Sequence, residues 1–191
     1  EKRGARVIFF YDDTFNVSVR RVEEICRKMI ERRLEVFWRA EIRLDLMTKP
    51  LLARMKQAGL FHVSFGIEAG SERVRNSVID KKIKIEDFHN AIAWCRELEI
   101  IPNVFFIFSH PTETWDEAQE TIRLIERYRN EVEASVAVLH IYPGTPLEAT
   151  AKEIGRLPVD FSWSERHSPK IITLPTAQGD VPLFLDKLTW S

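Results

Sequence analysis

Cysteine is nearly absent: Cys26 and Cys95 are the only two in 191 residues. Neither has another cysteine nearby at metal-ligand spacing, and both sit among helical-looking residues. Each therefore reads as a core thiol of a reduced, cytoplasmic chain. Net charge is lacking as well. Lys and Arg number 28 against 29 Asp and Glu, a balance of −1, which argues against a broad electrostatic footprint for nucleic acid. No apolar run approaches the length of a membrane-spanning helix, and the charged start Glu1-Lys2-Arg3 is not that of a signal peptide. Low-complexity tracts and short internal repeats are missing too. What is present, 45% hydrophobic and 30% charged residues, suffices for one domain with a sizeable core, or most of a larger one.

Five apolar, β-branched or aromatic runs predict strands at residues 6–11, 36–41, 61–67, 104–108 and 135–141. Helical patterns separate them. Val22, Ile25, Cys26, Met29 and Ile30 share one face, as do Phe88, Ile92, Cys95 and Leu98. Ala118, Ile122, Ile125 and Tyr128 mark a third helix, opened by a capping box of Thr114 and Glu117. Leu51, Leu52, Met55 and Ala58 form a shorter helix with Pro50 in its first turn and Gly59 at its end. This alternation predicts right-handed βαβ crossovers, a parallel sheet and an α/β fold. Residues 153–191 carry Pro158, Pro169, Pro175 and Pro182 without sustained periodicity, and read as an irregular C-terminal tail whose strand-like run is 170–174.

In parallel α/β folds ligands bind beyond the carboxyl ends of the strands. Polar residues stand at all five: Asp12 and Asp13; Arg39, Glu41, Arg43 and Asp45; Glu68, Gly70 and Ser71; Ser109, His110, Thr112 and Glu113; His140, Tyr142, Gly144 and Thr145. Asp12, Asp13, Ser71 and Thr114 are also good helix caps, so capping competes with ligand binding as their explanation. Glu68 should emerge at a strand mouth, either to accept hydrogen bonds from an amine or ribose hydroxyls or to pair with Arg39 or Arg43. His62, His89 and His167 lack partners at ligand spacing and read as structural or surface residues. Trp94 and Trp115 fit helix packing. Lys81-Lys82-Ile83-Lys84 reads as a solvated loop able to attract an anion.

The run Phe10-Tyr11-Asp12-Asp13-Thr14-Phe15 resembles the Phe-x-Asp-Asp-x-Phe motif of radical S-adenosylmethionine (SAM) enzymes. The resemblance is closest to the cobalamin-binding branch that includes the anaerobic magnesium-protoporphyrin ester cyclases. It continues through Trp38 to Asp45, is strongest from Ala58 to Ser71, and ends at Tyr142-Pro143-Gly144-Thr145-Pro146. It implies a partial TIM-type (β/α) barrel over residues 1–152, a radical SAM core fragment with SAM lying across the strand ends. By the same resemblance Asp12 and Asp13 meet the methionine amino group, and Glu68 contacts SAM. Arg39 and Arg43 face either the SAM carboxylate or the substrate. The backbone at 106–108, Ser109 and Tyr142 wall the adenine pocket. The implied cofactors are SAM and a [4Fe–4S] cluster, which together yield a 5′-deoxyadenosyl radical, with cobalamin if the branch holds. Methyl transfer or oxidative cyclisation of a small molecule would follow.

Two departures qualify the resemblance. The family's Cys-x3-Cys-x2-Cys loop follows its first strand, whereas this chain begins at what would be the second; the three cluster thiolates are missing, and the isolated chain is expected to be inactive. The family's Gly-x-Pro-Gly-Glu-Thr reads Ser109-His110-Pro111-Thr112-Glu113-Thr114 here, with both glycines replaced and His110 a candidate substrate or acid–base residue. Two rivals remain. One is a divalent-metal lyase or hydrolase barrel using Asp12, Asp13, Glu68, His110 and His140; the other is a non-catalytic binding module. Finally, the run 6–11 would be an edge strand, expected to be covered by a second copy of the chain or by its own tail.

Overall fold

The computed structural model describes residues 4–164, 171–176 and 179–188. Five strands, β1 (Val7–Phe10), β2 (Phe37–Glu41), β3 (Leu60–Glu68), β4 (Ile101–Phe108) and β5 (Glu133–Val138), form one sheet in sequence order, and every neighbouring pair is parallel. Helices α1 (Val19–Glu31), α2 (Lys49–Gln57), α3 (Ile85–Glu97) and α4 (Trp115–Tyr128) fill the crossovers. This is the expected α/β arrangement, an open partial barrel whose described strands do not close on themselves.

One sheet face supplies the core. Trp38, Ala40, Val63, Phe65, Ile67, Val104 and Phe106 alternate along β2, β3 and β4 and pack against Cys26, Met55, Phe88 and Ile92 of the helices. The other face presents Phe9, Phe37, Arg39, Ser64, Asn103 and Ser135. N-caps start the helices, and at α4 the cap is the one the sequence placed. Thr114 accepts from the Glu117 N–H while Glu117 accepts from the Thr114 N–H at 2.9 Å, and Thr48 caps α2 just before Pro50. The reading of α4 needs one correction. Ile122 is exposed, and Thr121 and Leu124 are buried instead, because α4 turns its polar Thr121 toward the loop that follows β3. Trp115 is likewise not packed in the core but 57% exposed.

The segment after β5 leaves the sheet. Helix α5 (Pro146–Glu153) and an antiparallel hairpin, β6 (Thr173–Thr176) with β7 (Gly179–Pro182), follow it. Ile141, Ala151, Leu157 and Phe184 form a small second core, and Phe184 N–H donates to Leu139 C=O at 2.8 Å. The described part of 153–191 therefore pairs with itself and docks beyond β5. It does not reach β1, whose outer edge has no strand beside it among the described residues. Strand β6 starts at Thr173, past most of the 170–174 run, and Lys170 lies outside the described residues. No helix among the described residues is long and apolar enough to cross a membrane.

Gly59 sets the tight passage from α2 into β3. Its φ is +100°, and a Cβ there would sit 2.1 Å from the Val36 carbonyl oxygen. Backbone cannot yield as a flexible side chain would. We expect Gly59→Ala to destabilise the fold by about 2 kcal/mol or more. Urea denaturation within about 0.5 kcal/mol of wild type would contradict this.

Candidate functional site

Beyond the carboxyl ends of β1 to β4 opens a cleft of about 370 Å³. Ser64, Gly66 and Phe105 line it from the sheet; Asp13, Glu41, Arg43, Asp45, Glu68, Asp80 and Lys81 line its mouth, five carboxylates against two cations. Strand β3 ends in a bulge, where its register with β4 shifts between Gly66 and Glu68 and Glu68 adopts φ +65°. A bulge re-aims a side chain, and here the side chain is a carboxylate. Lys81 Nζ donates to Glu68 Oε1 at 2.6 Å and to the Gly66 carbonyl at 3.0 Å. Glu68 Oε2 is buried without a hydrogen-bond partner. Gly66 makes room for the pair: a Cβ there would meet Glu68 Oε1 at 1.9 Å.

The loops around the cleft are held by side chains that replace backbone pairing. Buried Asn16 accepts from Arg43 N–H at 2.7 Å and donates to Arg43 C=O at 2.9 Å, tying the turn after β1 to the turn after β2. Arg43 itself is forked onto Asp45 at 2.7 and 3.0 Å, and that hydrogen bond lowers the Asp45 carboxyl. After β3 the chain makes a π-helical turn, Val74–Val78, within which Arg75 is 2% exposed. Its guanidinium donates to the carbonyls of Ala69, Gly70 and Ile83 at 2.9–3.0 Å, stapling both ends of the loop that carries Lys81. On the far side Gly70 N–H donates to Thr121 Oγ1 at 2.9 Å, while Glu117 takes Arg73 and Ser71. Hydrogen bonding from Arg73 is the main cause that holds the Glu117 carboxyl down to about 2.

After β4, Ser109 and Thr112 replace the glycines of the resembling motif, yet both keep a left-handed backbone, φ +69° and +63°. Anchored amides hold this loop conformation: His110 N–H donates to Glu113 Oε2 and Thr112 N–H to Asp186 Oδ2, each at 3.0 Å. His110 and Glu113 are buried. Burial pushes the Glu113 carboxyl up and the His110 imidazole down to about 4, so His110 is neutral near pH 7. His110 Nε2, Ser109 Oγ and Glu113 Oε1 are buried without hydrogen-bond partners.

Of the strand-end residues singled out in the sequence, Asp13, Glu41, Arg43, Asp45 and Glu68 line the cleft. Asp12 turns to Arg21 at 3.0 Å, Arg39 lies over the Phe9 ring at 4.3 Å, Ser109 is enclosed behind its loop, and Tyr142 stands half exposed beside His140. Glu68 pairs with neither Arg39 nor Arg43, because Lys81, read as a solvated lysine, folds inward instead. Asn16 and Arg75 went unrecognised, and Lys81 was read only within a solvated run able to attract an anion. Asn16 and Arg75 lie outside the strand-end positions, and Lys81 lies in a run of charge that looks solvated. Asp12, Asp13, Glu68, His110 and His140 do not converge, and no group of three or more His, Cys, Asp or Glu among the described residues is placed to hold a metal ion.

A sequence profile of the radical SAM superfamily matches residues 1–125. The chain belongs to the radical SAM superfamily. An uncharacterised methyltransferase from Pyrococcus horikoshii is 28% identical over 144 residues, 75% of this chain and 31% of the relative. The anaerobic magnesium-protoporphyrin IX monomethyl ester cyclase of Rubrivivax gelatinosus is 29% identical over 59% of this chain and 20% of its own length. In fold, the radical SAM methyltransferase TsrM from Kitasatospora setae, solved with cobalamin and a [4Fe–4S] cluster, superposes with TM-score 0.72 at 18% identity, covering 98% of this chain and 36% of TsrM. Escherichia coli coproporphyrinogen III oxidase superposes with TM-score 0.62 at 13% identity, over 86% of this chain and 37% of its own. This radical SAM chain thus spans about a third or less of these relatives.

Its residues do not fit an iron–sulfur cluster. Cys26 and Cys95 are fully buried on α1 and α3, and burial pushes their thiols up to about 11 and about 12, away from the thiolate a cluster requires. SAM is a different matter: the unpartnered Glu68 Oε2 and the acidic mouth of the cleft suit a ligand carrying ammonium and sulfonium charges.

Arg75→Met would leave three loop carbonyls unsatisfied, and we expect a loss of about 2–4 kcal/mol of stability in urea titration; a loss below about 1 kcal/mol would remove the staple from this account. For His110 the folded value lies below the ordinary 6.5, so its contribution is fully present above pH 6.5 and is lost as pH falls toward about 4. His110→Gln should abolish that part of the acid destabilisation, and NMR should show the wild-type imidazole titrating near pH 4 rather than 6.5.

Proposed function

We propose that this chain forms the SAM-binding rim and wall of a radical SAM enzyme whose [4Fe–4S] cluster is held by polypeptide outside these residues. The observation that carries the reading is Glu68. It is a carboxylate at a bulged strand end, half satisfied by Lys81, with its second oxygen buried and unpartnered at the mouth of an acidic cleft. A buried acceptor left without a donor costs free energy unless a ligand supplies the donor. The methionine ammonium of SAM supplies one, and the surrounding carboxylates favour the adjacent sulfonium. Bound SAM brings a transferable methyl group and an adenosyl moiety. The chain's own part is to fix the methionine end at Glu68 and to place the nucleoside toward Phe105 and the loop after β4.

The reaction of the whole protein is proposed as methyl transfer or oxidative cyclisation of a small molecule, with cobalamin as a further cofactor. The relatives described as methyltransferases and ester cyclases support this, as does the fold shared with TsrM. Neutral, buried His110 lies in the loop that would flank the nucleoside, and there it can act as a hydrogen-bond partner without carrying a charge near pH 7.

In the full-length protein carrying its cluster, Glu68→Ala should weaken SAM binding by about 1–3 kcal/mol, the scale of a hydrogen bond to a charged group. Calorimetric affinity equal to wild type, with the variant folded, would return Glu68 to a purely structural role.

A further inference from the structure

The sheet face that α1 to α4 leave uncovered carries an arginine seated on an aromatic ring. Parallel register sets Phe9 of β1, Arg39 of β2 and His62 of β3 side by side in one row. The Arg39 guanidinium lies over the Phe9 ring, 4.3 Å from its centroid, and the residue is half-buried. Toward the rim the Phe9 ring stacks with that of Tyr11 at 6.4 Å. Both rings are open to solvent, 46% and 85% exposed.

A guanidinium is planar and carries its five N–H donors along its edges, so a ring against one face spends none of them. Among the described residues Arg39 makes no hydrogen bond or ion pair. The arginines of the rim loops are all engaged: Arg43 on Asp45, Arg73 on Glu117, and Arg75 on three loop carbonyls. The acids that share a face with Arg39 are occupied elsewhere or lie farther along. Glu133 Oε2 meets His62 Nε2 at 3.0 Å, and Glu41, two residues on in the same strand, lines the cleft. Arg39 is thus the reverse of Arg75: its position is fixed by a ring, and its donors are left over.

We propose that Arg39, seated on Phe9, is a specificity-determining residue that binds the carboxylate of a planar aromatic substrate, whose flat body lies along Tyr11 toward the rim. This rests on the reading of the chain as one wall of a SAM enzyme and names the class of small molecule that the enzyme takes. The subsite lies beside the SAM cleft and not within it. Arg39 is absent from the lining of the cleft while Glu41 belongs to it, and two residues of strand span about 7 Å. A molecule anchored at Arg39 therefore has its far end next to bound SAM. Charge decides which anion is read. Glu41 and Glu133 share this face with one unpaired guanidinium, so a singly charged carboxylate is compensated and a doubly charged phosphate is not. The planar edge of the guanidinium also matches a carboxylate through two parallel hydrogen bonds.

The probes are naphthalene-2-carboxylate and its uncharged counterpart naphthalene-2-carboxamide, each titrated calorimetrically into the full-length, cluster-bearing protein, with SAM titrated separately. Wild type should bind the carboxylate about tenfold more tightly than the amide, the lower range for a charge-assisted hydrogen bond. Arg39→Met should shrink that ratio to less than about threefold. The amide and SAM should each stay within about threefold of their wild-type affinities, which also reports a folded protein. Arg39→Gln, polar but neutral, should behave in the same way and carries the test should the methionine variant not fold. Equal wild-type affinity for carboxylate and amide would show that polypeptide outside these residues takes up the Arg39 donors. Loss of SAM binding in Arg39→Met would place the arginine on SAM, and a carboxylate preference that survives both variants would place the subsite elsewhere. Each of these three results overturns the assignment. The failures are separable, because Glu68→Ala tests the SAM site through SAM affinity, whereas the carboxylate-to-amide ratio is read without SAM.

Discussion

Parallel pairing is the constraint on which everything else here depends. A parallel strand can be followed by another only after a crossover, and right-handed crossovers put every helix on the same side of a singly wound sheet. All the carboxyl ends then lie along one rim. The core forms between the sheet and α1 to α4, and the opposite face is left to polar and aromatic residues that no described helix covers. The cleft is thus a product of topology before it is a product of any single residue. Asp13, Arg43 and Glu68 are far apart in the chain, and they meet, with Lys81 of the loop after β3, because three neighbouring strand ends must meet.

Strain is distributed in the same pattern. Among the described residues, seven other than glycine have positive φ, and five of them lie at the rim: Glu68 ends β3, and Asp80, Lys82, Ser109 and Thr112 lie in the loops after β3 and β4. The remaining two, Arg33 and Glu99, simply terminate helices. Strain of this kind persists where surrounding contacts over-determine the backbone. Arg75 does so after β3, and Glu113 and Asp186 do so after β4. Ser109 and Thr112 show that left-handed backbone, which favours glycine, is held at residues with a Cβ when neighbouring amides are captured by carboxylates. Asp186 belongs to the segment after β5, which therefore contributes to the rim as well as to its own small core.

The sequence by itself determined the α/β alternation, the parallel order and the strand-end rim along which the cleft opens. Period-two and period-3.6 patterns are local, and the handedness of the crossover leaves little choice once they are assigned. It also determined several ends, because Thr114 with Glu117, and Pro50 with Gly59, act through neighbouring backbone. The motifs from Phe10 to Ser71 carried the radical SAM membership. Only the tertiary structure decided which polar residues face the cleft. Asp12 and Asp13 are adjacent in sequence, yet one turns to Arg21 and the other to the cleft. Lys81 and Lys82 look alike in a run of charge, and only the left-handed turns on either side of Lys81 send it inward. Arg75 gives no sign in the chain that it will be buried, because the carbonyls it satisfies come from residues 69, 70 and 83, brought together only when the loop after β3 closes.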